Sequence, residues 1–416
     1  MEFGEGPAAA SLQRMWDQLE PIGRDPGSGG YRRLTWSPAD AALREWFTVQ
    51  ARERDLDLET DRNGNMFAWW GGRGPGAVLT GSHLDSVLDG GAFDGPLGVM
   101  SGLAAIDLLR ARAVSPDRPV GVAVFTEEEG TRFGLACLGT KLLTGTVDPD
   151  TARSLTDAAG TTFASAMAQA GLDPEQIGPD ADLIGRISMF IELHIEQGRG
   201  LADLDAAIGL AEQIWPHGRW RIQFTGHADH AGTTRLADRR DPMLTFAGTV
   251  LAARHEAHRF NALATFGKID LRPCATNVIP GTLLAWLDAR APDQGSLDRL
   301  VEAITVSARE SARAQRIEFE IHRESYSDDV VFDPVLRSRL SEVLSSCRIK
   351  AATLPTGAGH DAGVLSGKVA TAMLFVRNPT GVSHAPGEYA EPADCVAGVE
   401  ALAAILQDAV TPRISR

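Results

Sequence analysis

Basic residues are in deficit: 40 Lys and Arg face 55 Asp and Glu across 416 residues, a formal charge of −15. Binding phosphates needs a basic face, so a nucleic-acid role is disfavoured. Cysteine is scarce too. Cys137, Cys274, Cys347 and Cys395 stand far apart with no C-x-x-C pair, which leaves a reduced, cytoplasmic protein as the simplest reading. No apolar run approaches the ~18–20 residues that span a bilayer. The opening M-E-F-G-E-G-P lacks the basic-then-apolar pattern of a secretory signal. Internal repeats, heptads and low-complexity tracts are missing, as are a G-x-S-x-G nucleophile elbow and a P-loop.

What remains is ordinary globular composition, 44% hydrophobic and 23% charged, enough to offset chain entropy and form two or three domains. The Gly- and Pro-rich first thirty residues read as a loop. An α/β rhythm follows. Strand-like runs at 77–80, 120–125, 188–195 and 372–376 alternate with helical patterns at 97–113, 335–345 and 392–406. That alternation predicts a mixed or largely parallel sheet flanked by helices, with ligands beyond the strands' carboxyl ends. Residues 214–326 obey a different order, β-α-β-β-α-β, the split βαβ of ferredoxin-like α+β domains. The α/β class therefore carries an inserted domain, with 1–213 and 327–416 on either side.

Histidines and carboxylates gather near the expected strand ends. G-S-H-L-D-S-V-L-D-G-G-A-F-D-G contains His83, Asp85 and Asp94 among glycines that allow tight folding around a small object. A polar loop with a hydrogen-bonded histidine is the competing reading. T-E-E-E-G places Glu127, Glu128 and Glu129 directly after a buried strand, where they repel one another unless a cation compensates; a solvated acidic turn is the alternative. I-E-L-H-I-E-Q-G puts Glu192, His194 and Glu196 on one strand face, and His384 follows in S-H-A-P-G-E. Three histidines with two or three carboxylates suit a borderline cation such as Zn²⁺. Two such ions sharing a carboxylate would polarise a carbonyl and acidify a water, with a spare carboxylate as base. The set points to hydrolysis of an unreactive carbonyl compound. G-A-G-H-D-A (357–362) fits a relaxed dinucleotide pattern, but no opening βαβ unit surrounds it.

Taken in order, G-S-H-L-D-S, G-G-A-F-D-G-P-L-G-V, T-E-E-E-G-T-R-F, E-L-H-I-E-Q-G, H-A-G-T-T, N-V-I-P-G, G-A-G-H-D-A and S-H-A-P-G-E resemble the hydantoinase/carbamoylase branch of the zinc aminoacylase and carboxypeptidase superfamily. The branch includes allantoate amidohydrolase, N-carbamoyl-L-amino-acid hydrolase and β-ureidopropionase. The resemblance implies a zinc-peptidase-like catalytic domain and a lid that also forms a homodimer. It implies two divalent ions, Zn²⁺ or Mn²⁺ with Co²⁺ or Ni²⁺ tolerated. His83 and His194 would hold one, Glu129 and His384 the other, and Asp94 would bridge. Glu128 would be the general base and Asp85 the orienter of His83. His230 would reach the partner subunit's site and stabilise the oxyanion. Gln197, Asn277, Arg290, Gly359 and His360 would meet the substrate, Asn277 and Arg290 through its carboxylate.

Two departures matter. Thr234 is followed by Arg235-Leu236 where the family commonly has Pro-Met. Thirteen residues before His230 stands His217, where close relatives often carry a substrate-contacting Gln. A cleaved linear C–N bond in a ureido acid, allantoate or an N-carbamoyl-L-amino acid, is the expected chemistry. An N-formyl or other small N-acyl amino acid, such as N-formyl-L-glutamate, is the nearest rival, suggested by the change to His217 at a substrate-contacting position. A dipeptidase and a non-catalytic small-molecule binder stand further off.

Overall fold

The computed structural model describes residues 1–411 and divides into two compact units. One comprises Met1–Glu212 and the chain from Val331 onward; the other is Gln213–Val330, slightly wider than the 214–326 read from sequence.

In the first unit, seven strands of a nine-stranded mixed sheet follow one another: Asp57–Thr60, Met66–Trp70, Val120–Phe125, Ala77–His83, Ile187–Ile195, Ala370–Val376 and Ile208–Ile214. The middle four are mutually parallel and the flanking pairs antiparallel. These parallel strands are Val-, Ile-, Leu- and Phe-rich and buried on both faces, as a sheet covered by helices requires. Helix Pro96–Ala111 packs on them and against helices Pro7–Leu19 and Pro392–Val410.

The helix Pro7–Leu19 corrects the loop expected over the first thirty residues. Ala8, Ala9, Leu12, Met15, Trp16 and Leu19 recur at helical spacing and are buried. Most of the Gly and Pro that suggested a loop follows this helix, at 21–30, and Pro7 itself occupies the first turn, where a missing N–H costs nothing. Helix Pro38–Glu53, capped by Ser37 on the Asp40 N–H, also starts on proline.

The second unit contains a four-stranded antiparallel sheet in spatial order Glu318–Ser327, His217–Thr225, Thr282–Arg290, Leu263–Arg272. Gly218, Trp220, Ile222 and Phe224 alternate into a core shared with helices Pro242–Arg259 and Gln294–Gln315. Counted along the chain, the strands run 4-1-3-2, which the split βαβ order produces. Among the described residues no helix is long and apolar enough to cross a membrane.

Candidate metal centre

The parallel register sets the site. His83 ends its strand opposite Phe125, and His194 lies opposite Phe375 one residue before its own strand ends. The loops leaving these ends therefore emerge on one side, and Glu127–Glu129 begin two residues after Phe125.

Each buried histidine has its tautomer fixed by a carbonyl, which can only accept. His83 Nδ1 donates to the Asp85 carbonyl (3.0 Å) and His194 Nδ1 to that of Ile195 (2.8 Å). In the neutral ring the lone pair then sits on Nε2. Both Nε2 atoms are buried without a hydrogen-bond partner, an expensive state unless they serve as ligands.

Asp94 is the hub. Its Oδ1 lies 3.4 Å from His83 Nε2 and 3.2 Å from His194 Nε2; its Oδ2 lies 3.4 Å from His384 Nε2. Glu129 Oε2 is 3.6 Å from the same His384 nitrogen. Two ligand atoms each ~2.0–2.2 Å from a tetrahedral ion stand about 3.3–3.6 Å apart, so these separations fit a shared cation. The donor chemistry, imidazole with carboxylate, also fits. The two groups that meet at Asp94 are His83–Asp94–His194, wholly buried, and Asp94–Glu129–His384, which opens outward. Gln197 Nε2 donates to Asp94 Oδ2 (2.7 Å) and approaches His384 Nε2 (3.2 Å).

Charge at this site is crowded. Burial pushes Glu128 and Glu129 well above the usual carboxylate range, with added repulsion from Asp361 and Asp85 and from Asp94 and Asp85 respectively. Burial also opposes ionisation of Asp94, but His194 and His83 outweigh it and hold Asp94 well below that range. Burial likewise opposes a charged His83, yet Glu128, Asp85 and Asp94 hold it well above the usual imidazole value. A divalent cation would relieve the carboxylate repulsion directly.

Glu128 is buried, and its Oε2 faces His83 Nε2 at 3.7 Å. Asp85 meets His83 and reaches further. Its carbonyl makes the hydrogen bond to His83, with Oδ1 at 3.6 Å from the same Nδ1, while the carboxylate also accepts the backbone N–H groups of Glu128 (3.2 Å) and Glu129 (3.1 Å). Asp85 thus ties the His83 loop to the glutamate turn. Gly95 follows Asp94 at φ +85°, and a Cβ there would sit 2.5 Å from His83 Cε1. Only glycine allows the loop to pass so close to the ring.

Glu196 stays outside this group: its carboxylate accepts the N–H groups of Gly200 and Leu201 just past the strand. Gly359 is exposed, whereas His360 is 3% exposed. The His360 ring meets His194 edge-on, 4.5 Å between centroids, and Nε2 has no partner. Its burial follows from Glu192, which accepts the Ala362 N–H (3.0 Å) and fixes the helix that starts after His360. Burial, with His194 nearby, pushes His360 well below the usual imidazole value. Glu192, His194 and His360 form a further buried donor group.

Sequence reasoning left Glu388 without a role. Its Oε1 accepts the N–H groups of Phe93 (3.1 Å) and Asp94 (3.0 Å) and so positions the hub. S-H-A-P-G-E contained this residue, but a contact spanning nearly 300 positions leaves no mark in local spacing.

The inserted unit brings its own candidates together in pairs. Cross-strand register places His217 opposite Arg290, and Val278, next to Asn277, opposite His230. His217 Nδ1 donates to the Trp215 carbonyl (3.2 Å). Arg290 makes two bonds to Asp288. His230 Nδ1 accepts the N–H groups of Gly232 (3.0 Å) and Thr233 (3.2 Å).

Comparison with known proteins follows the same lines. Residues 79–408 match the model of peptidase family M20/M25/M40. The chain is 34% identical to an N-carbamoyl-L-amino acid amidohydrolase of Geobacillus stearothermophilus, covering 94% of this chain and 96% of that one. It is 32% identical to the allantoate amidohydrolase of Escherichia coli K12, covering 93% and 95%. A hydantoinase/carbamoylase family amidase from Burkholderia multivorans superposes with a TM-score of 0.84 at 30% identity, over 97% and 98% of the two chains. The chain therefore belongs to peptidase family M20/M25/M40, in its hydantoinase/carbamoylase branch.

Proposed function

We propose that the protein is a metal-dependent amidohydrolase that cleaves a linear C–N bond of a ureido acid, of the allantoate or N-carbamoyl-L-amino-acid type. The observation that carries this reading is the convergence of His83, His194 and His384 on the two oxygens of Asp94, with Glu129 closing on His384. Two divalent ions, Zn²⁺ or Mn²⁺ with Co²⁺ or Ni²⁺ also compatible, are assigned to those donors, His83 and His194 for one, Glu129 and His384 for the other. Bound there, they would polarise the scissile carbonyl and acidify a water.

The chain supplies the proton transfers and the orientation. Glu128 accepts the proton of the attacking water on Oε2 and delivers it to the leaving nitrogen. Asp85 keeps the glutamate turn in register with His83. His230 stabilises the developing oxyanion. Two backbone N–H groups point at its Nδ1, so the neutral ring carries its proton on Nε2, the form that donates. Asn277 and Arg290 hold the substrate carboxylate, Arg290 being oriented by Asp288. Gln197, Gly359 and His360 complete the contacts.

His217 supports a ureido substrate over a formyl one. Burial pushes it below the usual imidazole value; the Trp215 bond works the other way, and Arg290 and Arg219 add to the lowering. A neutral His217 with its proton on Nδ1 offers Nε2 as an acceptor. A carbamoyl or ureido group has terminal N–H donors for it, and a formyl group has none.

A homodimer through Gln213–Val330 belongs to the same reading, with His230 serving the partner's site. Strand Leu263–Arg272 is a ten-residue edge with one neighbour, an exposed pairing template. On it Leu263 is 55% and Ile269 50% exposed, and on helix Pro242–Arg259 Leu251 is 70% and Leu244 57% exposed, an apolar surface that a second copy would cover. A reducing, cytoplasmic setting fits four free cysteines.

The test is a panel of allantoate and N-carbamoyl-, N-formyl- and N-acetyl-L-amino acids after loading with Mn²⁺ or Zn²⁺. Turnover of the ureido acids is expected. Turnover confined to N-formyl substrates would replace the acyl group assigned here, and no turnover of any would favour a binding protein.

A further inference from the structure

Glu128 has two carboxylate oxygens in different surroundings. Oε2 faces His83, whereas Oε1 lies 3.4 Å from the Sγ of Cys137. Both side chains are buried, so neither contact competes with bulk water.

The backbone brings the cysteine there by an unusual route. Cys137, Leu138 and Gly139 donate their N–H groups in turn to the carbonyls of Glu128 (2.7 Å), Glu127 (3.0 Å) and Thr126 (2.9 Å). These donors open helix Leu138–Thr144, so the first turn of the helix is clamped onto the glutamate turn. Cys137 itself sits at φ +54°, in the left-handed region. Glycine adopts that conformation without cost, and a β-carbon there is disfavoured. A glycine would serve the backbone alone; the cysteine adds a thiol, and that thiol ends on the base.

We infer that Cys137 is a positioning residue: its S–H donates to Glu128 Oε1, occupying that oxygen and leaving Oε2 as the one that takes and returns the proton. This rests on Glu128 being the base of the reaction proposed above. No new covalent step is involved. The thiol remains a thiol throughout and acts only on the rotation of the carboxylate about its last bond. Loss of the thiol would let the carboxylate rotate through orientations that aim neither oxygen at the substrate and so lower the fraction of productive encounters without altering substrate affinity.

Cys137→Ala should lower kcat by about three- to tenfold, the worth of one ordinary hydrogen bond, as fits a weak thiol donor, with KM and bound metal unchanged. Cys137→Ser, which restores a donor, should recover most of the loss. The assay uses the metal-loaded full chain with allantoate and an N-carbamoyl-L-amino acid. Wild-type kcat in Cys137→Ala, or no recovery in Cys137→Ser, overturns the inference. Glu128→Gln is the control for the underlying reading: if it keeps full turnover, Glu128 is not the base, whatever the cysteine variants show. An arm independent of activity uses the infrared S–H stretch of the folded protein. The band lost in Cys137→Ser should shift when Glu128 becomes Gln; an unmoved band means the thiol does not donate to the carboxylate.

Discussion

At the scale of single residues the site depends on tautomers and on one missing side chain. His83 and His194 were legible as candidate ligands because each follows or ends a strongly apolar run, and polar residues at such positions need a reason. What spacing alone left open was which nitrogen each presents, since this is set by carbonyls within two residues of the ring. Asp85 was placed beside His83 correctly, but its carboxylate bonds backbone donors some forty positions away. The glycines around Asp94 were legible as a group, and Gly95 is the one whose absent Cβ matters most to His83. Gly95→Ala must strain a backbone at φ +85° and displace the imidazole. Metal affinity should fall by about 10–100-fold, the usual effect of disturbing a ligand's support. Competition with a chelator measures it. Unchanged affinity would mean that His83 is not a ligand.

At the scale of elements, the four parallel strands were read closely because their buried runs are continuous, whereas the antiparallel strands Asp57–Thr60, Met66–Trp70 and Ile208–Ile214 were not read and the first helix was hidden by its neighbourhood. Pro7–Leu19 carries a sound apolar stripe, but the Gly/Pro-rich stretch behind it dominates a coarse pass. The turn joining Asp57–Thr60 to Met66–Trp70 shows what no pattern reveals. Asp61 is buried there and accepts the N–H groups of Asn63 and Asn65 on Oδ1 and the Asn65 amide on Oδ2. Burial raises its pKa from 3.8 to about 6, and those hydrogen bonds only partly oppose it. The folded pKa therefore exceeds the unfolded one. Between about pH 4 and 6 the unfolded chain has lost this proton and the native chain keeps it. Stability from Asp61 falls across that window and is level above it, by up to about 3 kcal/mol for a shift near two units. Asp61→Asn should remove this slope. Denaturant unfolding of both proteins from pH 4 to 7 checks it: the wild type should lose ground to the variant up to about pH 6. A constant difference would mean that Asp61 ionises normally.

At the scale of the whole molecule, the formal charge of −15 changes meaning once burial is known. Asp85, Asp94, Glu127, Glu128, Glu192, Asp361 and Glu388 are all buried, so part of the acid surplus is site chemistry and not solubilising surface. The proposed assembly extends the argument beyond one chain. If His230 serves the partner's centre, each complete site draws Glu128 from one subunit and His230 from the other. His230→Ala and Glu128→Gln homodimers should each be nearly inactive. In a mixed dimer, one site loses both residues and the other regains both. Co-refolding or subunit exchange of the two variants at equal amounts should then restore about a quarter of wild-type turnover, because half the dimers are mixed and one of their two sites is whole. A dimer in sedimentation is required alongside, and Leu251→Arg, placing a charge on the 70% exposed apolar face, should weaken it and abolish the rescue. A His230 that acts within its own chain predicts no rescue at any mixing ratio, and that outcome would separate the dimer from the chemistry.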